Sequence, residues 1–170
     1  MGTINSTRLD GELLYQIISQ RPDYSFVFTG PEDDIFRRDR IHSLKNAYFT
    51  GQKKVDELPA YIAAYDVCIN PQMVNKITNG NYPLKIDEYL AMGKPTVATS
   101  THTMRNIFTG HTHLAINPEE WLAAIDRAVT EADDKELAKQ RIAFAETHSW
   151  GHSVKKIYEI IDSFLKKKTT

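Results

Sequence analysis

Residues 81–100 read NYPLKIDEYLAMGKPTVATS, placing a proline, a lysine and two adjacent acids near the start of one short helix. Pro83 suits the first helical position, where a missing N–H costs nothing. Asn79, Gly80 and Asn81, just before it, tolerate left-handed backbone. The N–H groups of Leu84, Lys85 and Ile86 are then without intrahelical acceptors. Together with the positive end of the helix dipole they form an anion site, to which Lys85 adds a charge. Glu88 lies one turn deeper. A carboxylate there repels a phosphate but can accept hydrogen bonds from a diol beside it, such as the ribose of a nucleotide. The competing reading is an i,i+3 ion pair between Lys85 and Glu88 on a solvated face, worth about 0.2–0.5 kcal/mol.

Other elements must hold that helix start in place. Short apolar runs at 24–30 (YSFVFTG), 46–51 (NAYFTG), 66–70 (DVCIN), 95–100 (PTVATS) and 113–117 (HLAIN) are bounded by Gly, Pro, Asn or Asp, as buried strands are. Helical patterns lie between them. Leu9, Leu13 and Ile17 share a face that stops at Pro22, and Leu58, Ile62 and Tyr65 share another. Pro118 opens a helix repeating Trp121, Leu122, Ile125 and Val129. Gly93 is expected to cap the helix after Glu88, and Pro95 to open the next strand. The alternation predicts an α/β fold, a parallel sheet covered by helices on both faces. The strand DVCIN feeds the loop before Pro83, which puts that helix start at the ligand crevice of such a sheet. Only eight residues precede the first helix, too few for a strand and its loop, so the first strand is expected to be missing or truncated. Two helices close the chain, the last with Ile157, Ile160, Ile161, Phe164 and Leu165 on one face and a Lys166–Lys168 run at its end.

Composition excludes several classes. A formal charge of −1 supplies no basic field for nucleic acid. No apolar run approaches the ~20 residues of a membrane span, and peripheral contact through the terminal lysines is the most expected of a membrane. One cysteine, Cys68, sits in an apolar run, which points to a buried thiol and a reduced, cytoplasmic setting. His111 and His113 flank one residue on a strand entry, a spacing metal ligands can use, but no third ligand follows at a persuasive distance, so no metal is expected. His148 and His152 suit a helix start. The three acids of PEDDIFRRDR could pass for a metal loop, but the stretch reads as a solvated turn and an amphipathic helix. Thr99–Thr103 offer either hydroxyls to the crevice or a helix cap.

With these residues in hand, the chain resembles the C-terminal domain of GT-B glycosyltransferases, especially retaining family 4, or group 1, enzymes. Four stretches carry the likeness in order: RLDGELLYQIISQRPDYSFVFTGP, NAYFTGQKKVDELPAYIAAYDVCINP, NYPLKIDEYLAMGKPTVAT and HSWGHSVKKIYEII. The resemblance implies one Rossmann-like nucleotide-sugar-binding domain over 1–170. Its terminal helix, 149–168, would pack back towards an acceptor-binding N-terminal domain that this chain lacks. Glu88 would bind the donor ribose, and Pro83, Leu84 and Lys85 the diphosphate, with Arg8 as a remnant phosphate contact. Gly30, Pro31, Gly51, Gln52 and Val55 would flank the nucleobase. Thr78, Gly80, Asn81 and Tyr82 are further possible donor contacts. The first of the family's two spaced glutamates would fall at position 80, which is Gly80, so the sugar and the catalytic residues stay unassigned. The implied reaction moves a sugar from a nucleotide-diphosphate donor such as a UDP-sugar to a glycan or lipid-linked acceptor in cell-surface polysaccharide synthesis. No cofactor or metal is called for, and the chain alone is expected to be inactive. The alternative is a stand-alone α/β nucleotide- or phosphate-binding or regulatory module without chemistry.

Overall fold

A computed structural model describes residues 1–76 and 78–168. Five parallel strands form two small sheets. β1 (Phe26–Thr29) pairs with β2 (Ala47–Gly51), and β4 (Thr96–Thr99) lies between β3 (Cys68–Asn70) and β5 (His113–Ala115). All five predicted strands are present, trimmed at their ends where the flanking turns begin. A cavity lined by both β1 and β3 separates the two sheets. Ahead of α1 only isolated bridges form, Ile4 with Glu32 and Leu9 with Gln72, in line with the expected truncation of the first strand.

Helices cover both faces. On one side α1 (Gly11–Ser19) and α5 (Pro118–Thr130) bury Leu14, Ile17, Ile18, Trp121 and Ile125 against Phe26, Phe28 and Val97. Each of these helices is started by an acceptor side chain, Asp10 on the Leu13 N–H and Asn117 on the Glu120 N–H. On the other side α2 (Leu58–Ala64), α3 (Leu84–Ala91), α4 (His102–Ile107) and α6 (Lys135–Glu146) enclose Ile62, Ile86, Leu90, Met104 and Phe108 with Cys68 and Ala98. The two apolar clusters are separate because the sheet lies between them.

α3 ends as expected. Gly93 adopts φ +72°, and a Cβ there would stand 3.0 Å from that of Ala138 on α6. Next to that contact the buried Arg141 pairs with Glu131. The last helix, α7 (Trp150–Lys168), leaves its apolar face exposed, Trp150 at 82% and Phe164 at 59%. Of the terminal lysine run, the side chains of Lys167 and Lys168 lie outside the described residues. Among the described residues, no helix is long and apolar enough to cross a membrane.

Candidate functional site

A cleft of about 500 Å³ opens at the start of α3. Thr3, Asn5 and Arg8 line one wall, and Asn81 to Lys85 line the other. Two backbone contacts tie the Arg8 side of the cleft to the segment after β3. The Met73 N–H donates to the Arg8 carbonyl at 2.8 Å, and Leu9 bridges Gln72. The residues expected to meet a diphosphate therefore share one cleft, although Arg8 and Lys85 are far apart in sequence.

The helix start differs from the sequence reading in one detail. Pro83 occupies the cap position rather than the first helical one, with φ −88° and ψ 86°, and the helix begins at Leu84. Its carbonyl accepts from the Ile86 N–H at 2.8 Å. A tight turn thus engages the third donor, which leaves the N–H groups of Leu84 and Lys85 without an acceptor among the described residues. Leu84 is exposed and Pro83 buried.

Lys85 does not pair with Glu88. Its Nζ donates to the Met1 carbonyl at 3.0 Å. Burial pushes the Lys85 pKa below its ordinary value, while the nearby carboxylate of Glu88 acts the other way. Glu88 itself is exposed and stands outside the cleft lining, one turn along α3. The electrostatic balance therefore joins Arg8 and Lys85 at the cleft, with one carboxylate beyond its rim.

The loop before α3 is fastened from three sides. Thr78 is buried, its hydroxyl donating to the Met73 carbonyl and its N–H to Asn75 Oδ1. Asn79 caps α4 by accepting from the His102 N–H at 2.9 Å, beside the Thr101 cap on the Met104 N–H. Gly80 and Asn81 are exposed. Tyr82 donates its hydroxyl to Asp87 Oδ2 at 2.6 Å, and the other oxygen of Asp87 meets His148 Nδ1 at 2.9 Å. Burial and this hydrogen bond to the carboxylate raise the Tyr82 pKa. Asp87 and His148 are positioning residues that the sequence reading missed. No local pattern marks them, since they meet only when the turn after α6 packs on α3.

The loops expected at a nucleobase also converge. The Gly30 N–H donates to the Gly51 carbonyl at 3.0 Å, joining the carboxyl ends of β1 and β2. Pro31, Gly51, Gln52 and Val55 are exposed around that junction. Gly30 is buried at φ +143°, and a Cβ there would fall 1.9 Å from the Gly2 carbonyl oxygen.

The remaining candidates are engaged elsewhere. His111 stacks on Phe144 with ring centroids 3.7 Å apart, and His113 Nε2 lies 3.1 Å from Glu131 Oε2. Asp33 caps a turn by accepting from Phe36 and Ser6, which holds its pKa below the usual carboxylate value. Among the described residues, no three His, Cys, Asp or Glu side chains are grouped to hold a metal ion. Cys68 is buried, and that burial pushes its thiol up to about 12.

Comparison with known proteins follows the same lines. The family described as "Glycosyl transferases group 1" matches residues 12–131. A Bacillus subtilis (strain 168) protein, TuaH, assigned to teichuronic acid biosynthesis as a glycosyltransferase, is 28% identical over 149 residues. That match takes in 84% of this chain and 37% of the relative, so the chain spans little more than a third of it. Sucrose-phosphate synthase from Thermosynechococcus elongatus superposes with a TM-score of 0.71 at 16% identity, over 98% of this chain and 46% of that one. Anabaena HepE, solved in complex with UDP and glucose, superposes with a TM-score of 0.62 at 17% identity, over 95% of this chain and 48% of that one. At these identities the two structures establish the fold alone, whereas the family match extends from α1 to the end of α5. The chain belongs to the group 1 glycosyltransferases.

Proposed function

We propose that this chain is the donor-binding half of a glycosyltransferase that moves a sugar from a nucleotide-diphosphate donor to a glycan or lipid-linked acceptor. The observation that carries the reading is the cleft at α3, where Arg8, Lys85 and two acceptor-free backbone N–H groups line one space. Donors and cations so placed favour a diphosphate, and they favour it more as charge develops on the departing leaving group. No metal is needed for that role. Glu88, at the rim, accepts from the ribose hydroxyls, and the Gly30–Pro31 and Gly51–Gln52 loops with Val55 flank the base.

The UDP bound to HepE supports a uridine nucleotide as the donor carrier, and the assignment of TuaH supports a cell-surface polysaccharide as the product. Reaction requires an acceptor-binding half on the other side of the cleft, and the exposed apolar face of α7 is the surface such a half would cover. The chain by itself then binds donor without turnover, at the cytoplasmic side of the membrane. Titration calorimetry with UDP, GDP and uridine tests the reading. Diphosphate binding that exceeds nucleoside binding supports it, and a folded chain that binds none of the three overturns it.

A further inference from the structure

Carboxamide side chains in this molecule mostly serve the fold. Asn46 Nδ2 donates to the carbonyls of Ile18, Arg21 and Tyr24, and Asn79 caps α4. Gln72 does nothing of the kind. It is only 7% exposed, it lines the cleft at α3, and its amide has no hydrogen-bond partner among the described residues. An unpaired buried amide is costly to a fold, and each such group in a native structure calls for a reason.

The backbone holds Gln72 still. Its N–H donates to the Asn70 carbonyl at 3.1 Å, and Leu9 bridges it from the neighbouring segment. On either side of it the Asp10 N–H donates to the Pro71 carbonyl at 3.3 Å and the Met73 N–H to the Arg8 carbonyl at 2.8 Å. The amide is thus fixed next to the Arg8 segment while its own donor and acceptor stay open. We infer that Gln72 holds the transferred sugar of the donor through a pair of neighbouring hydroxyls, and so selects which nucleotide-sugar the cleft accepts. The inference rests on the donor reading of the cleft.

The chemistry of a carboxamide favours a diol over a phosphate. Its oxygen only accepts and its nitrogen only donates. Phosphate oxygens also accept, so a diphosphate satisfies Nε2 and leaves Oε1 facing a like charge. A hydroxyl donates and accepts, and two adjacent hydroxyls therefore satisfy both ends of the amide at once. Arg8 and Lys85 in the same cleft already suit the diphosphate, and no carboxylate lines the cleft among the described residues. A donor of this class carries a second diol, its ribose. In the donor reading that diol goes to Glu88, which stands outside the cleft lining, whereas Gln72 lies within it. Of the other uncharged polar side chains there, Thr3 and Asn81 are exposed, and Asn5 Oδ1 is engaged by Thr7. Burial gives Gln72 the greater discrimination, because a donor without hydroxyls at that point leaves the desolvated amide unpaired.

Titration with UDP, UDP-glucose, UDP-galactose and UDP-N-acetylglucosamine tests the inference, in the unmodified chain and in Gln72→Met and Gln72→Leu. The readout is the ratio of UDP-sugar affinity to UDP affinity. Both substitutions are expected to lower that ratio about tenfold for the preferred sugar, with UDP itself changed by less than about twofold. The urea midpoint is expected not to fall, since the amide has no partner in the fold to lose. A ratio unchanged for all three sugars overturns the inference. If UDP binding holds in that case the amide is idle, and if it falls alongside, the amide belongs to the ribose or the diphosphate. A lower urea midpoint in both variants also overturns it, because the amide then serves the fold. An unmodified chain that is folded and binds none of the four ligands defeats the donor reading itself, and this inference with it.

Discussion

His148 Nδ1 lies 2.9 Å from Asp87 Oδ1 across 61 positions of sequence, and Tyr82 holds the other oxygen of the same carboxylate. One side chain on α3 thus fastens both the loop that leads into the helix and the turn that follows α6. Phe108 and Phe144 pack edge-on against the His148 ring and shield one side of the junction from water. Asp87→Ala leaves two half-buried polar partners unsatisfied. It is expected to cost about 1–3 kcal/mol, read as a lower urea midpoint at unchanged slope. Asp87→Asn, which keeps the shape and one acceptor, is expected to cost less.

Arg8 and Glu88 are expected to separate in a nucleotide titration. Arg8→Ala removes a cation from the cleft and is expected to weaken UDP about tenfold, the equivalent of a charge-assisted hydrogen bond of roughly 1.5 kcal/mol. Uridine binding changes less than about twofold, because no phosphate is involved. Glu88→Gln is expected to weaken UDP and uridine alike. If Glu88→Gln leaves both affinities unchanged, the ribose role is dropped while the diphosphate role stands.

For a polypeptide of residues 1–170 alone, stability is expected to rise between pH 6 and pH 8 through the Met1 α-amino group. Burial is the main cause of its low folded-state pKa, the charge of Lys85 adds to it, and the nearby Cys68 and Glu88 oppose it. The group titrates at about 6 when folded and near its ordinary value of 8.0 when unfolded. Between those values the unfolded chain binds the extra proton, so raising the pH favours the fold, by an amount on the order of 2 kcal/mol in total. Urea midpoints at pH 5.5, 7 and 8.5 measure this, and acetylation of the N-terminus is expected to flatten the rise.

Gly30→Ala is expected to be among the most damaging single-methyl additions. The new Cβ meets the Gly2 carbonyl oxygen at 1.9 Å, and the backbone there has φ +143°. Backbone strain and the clash together predict a loss of about 2–4 kcal/mol in thermal or urea unfolding. Residues 2–4 shift as well, since Gly2 is hydrogen bonded to Thr29. Gly51→Ala, with φ +69° and open space around it, is expected to cost less, about 1 kcal/mol.

Periodicity, caps and glycine positions along the chain determined the α/β class, the five strands and the helix containing Glu88. These signals are local, since turn residues and side-chain period act within a few positions of themselves. The motif around Pro83 also pointed to a helix start with N–H donors left open, which the structure has at Leu84 and Lys85. The tertiary structure decided what those elements enclose. Arg8 stands in the cleft with Lys85 because the 8–9 and 72–73 segments pair, and Lys85 turns to the Met1 carbonyl instead of Glu88. Asp87, read as half of an acidic pair, becomes the anchor of Tyr82 and His148. The cavity between β1 and β3 lies between two sheets that no local pattern places side by side. The strand pairings of those sheets are hydrogen bonds between residues far apart in sequence, which packing sets.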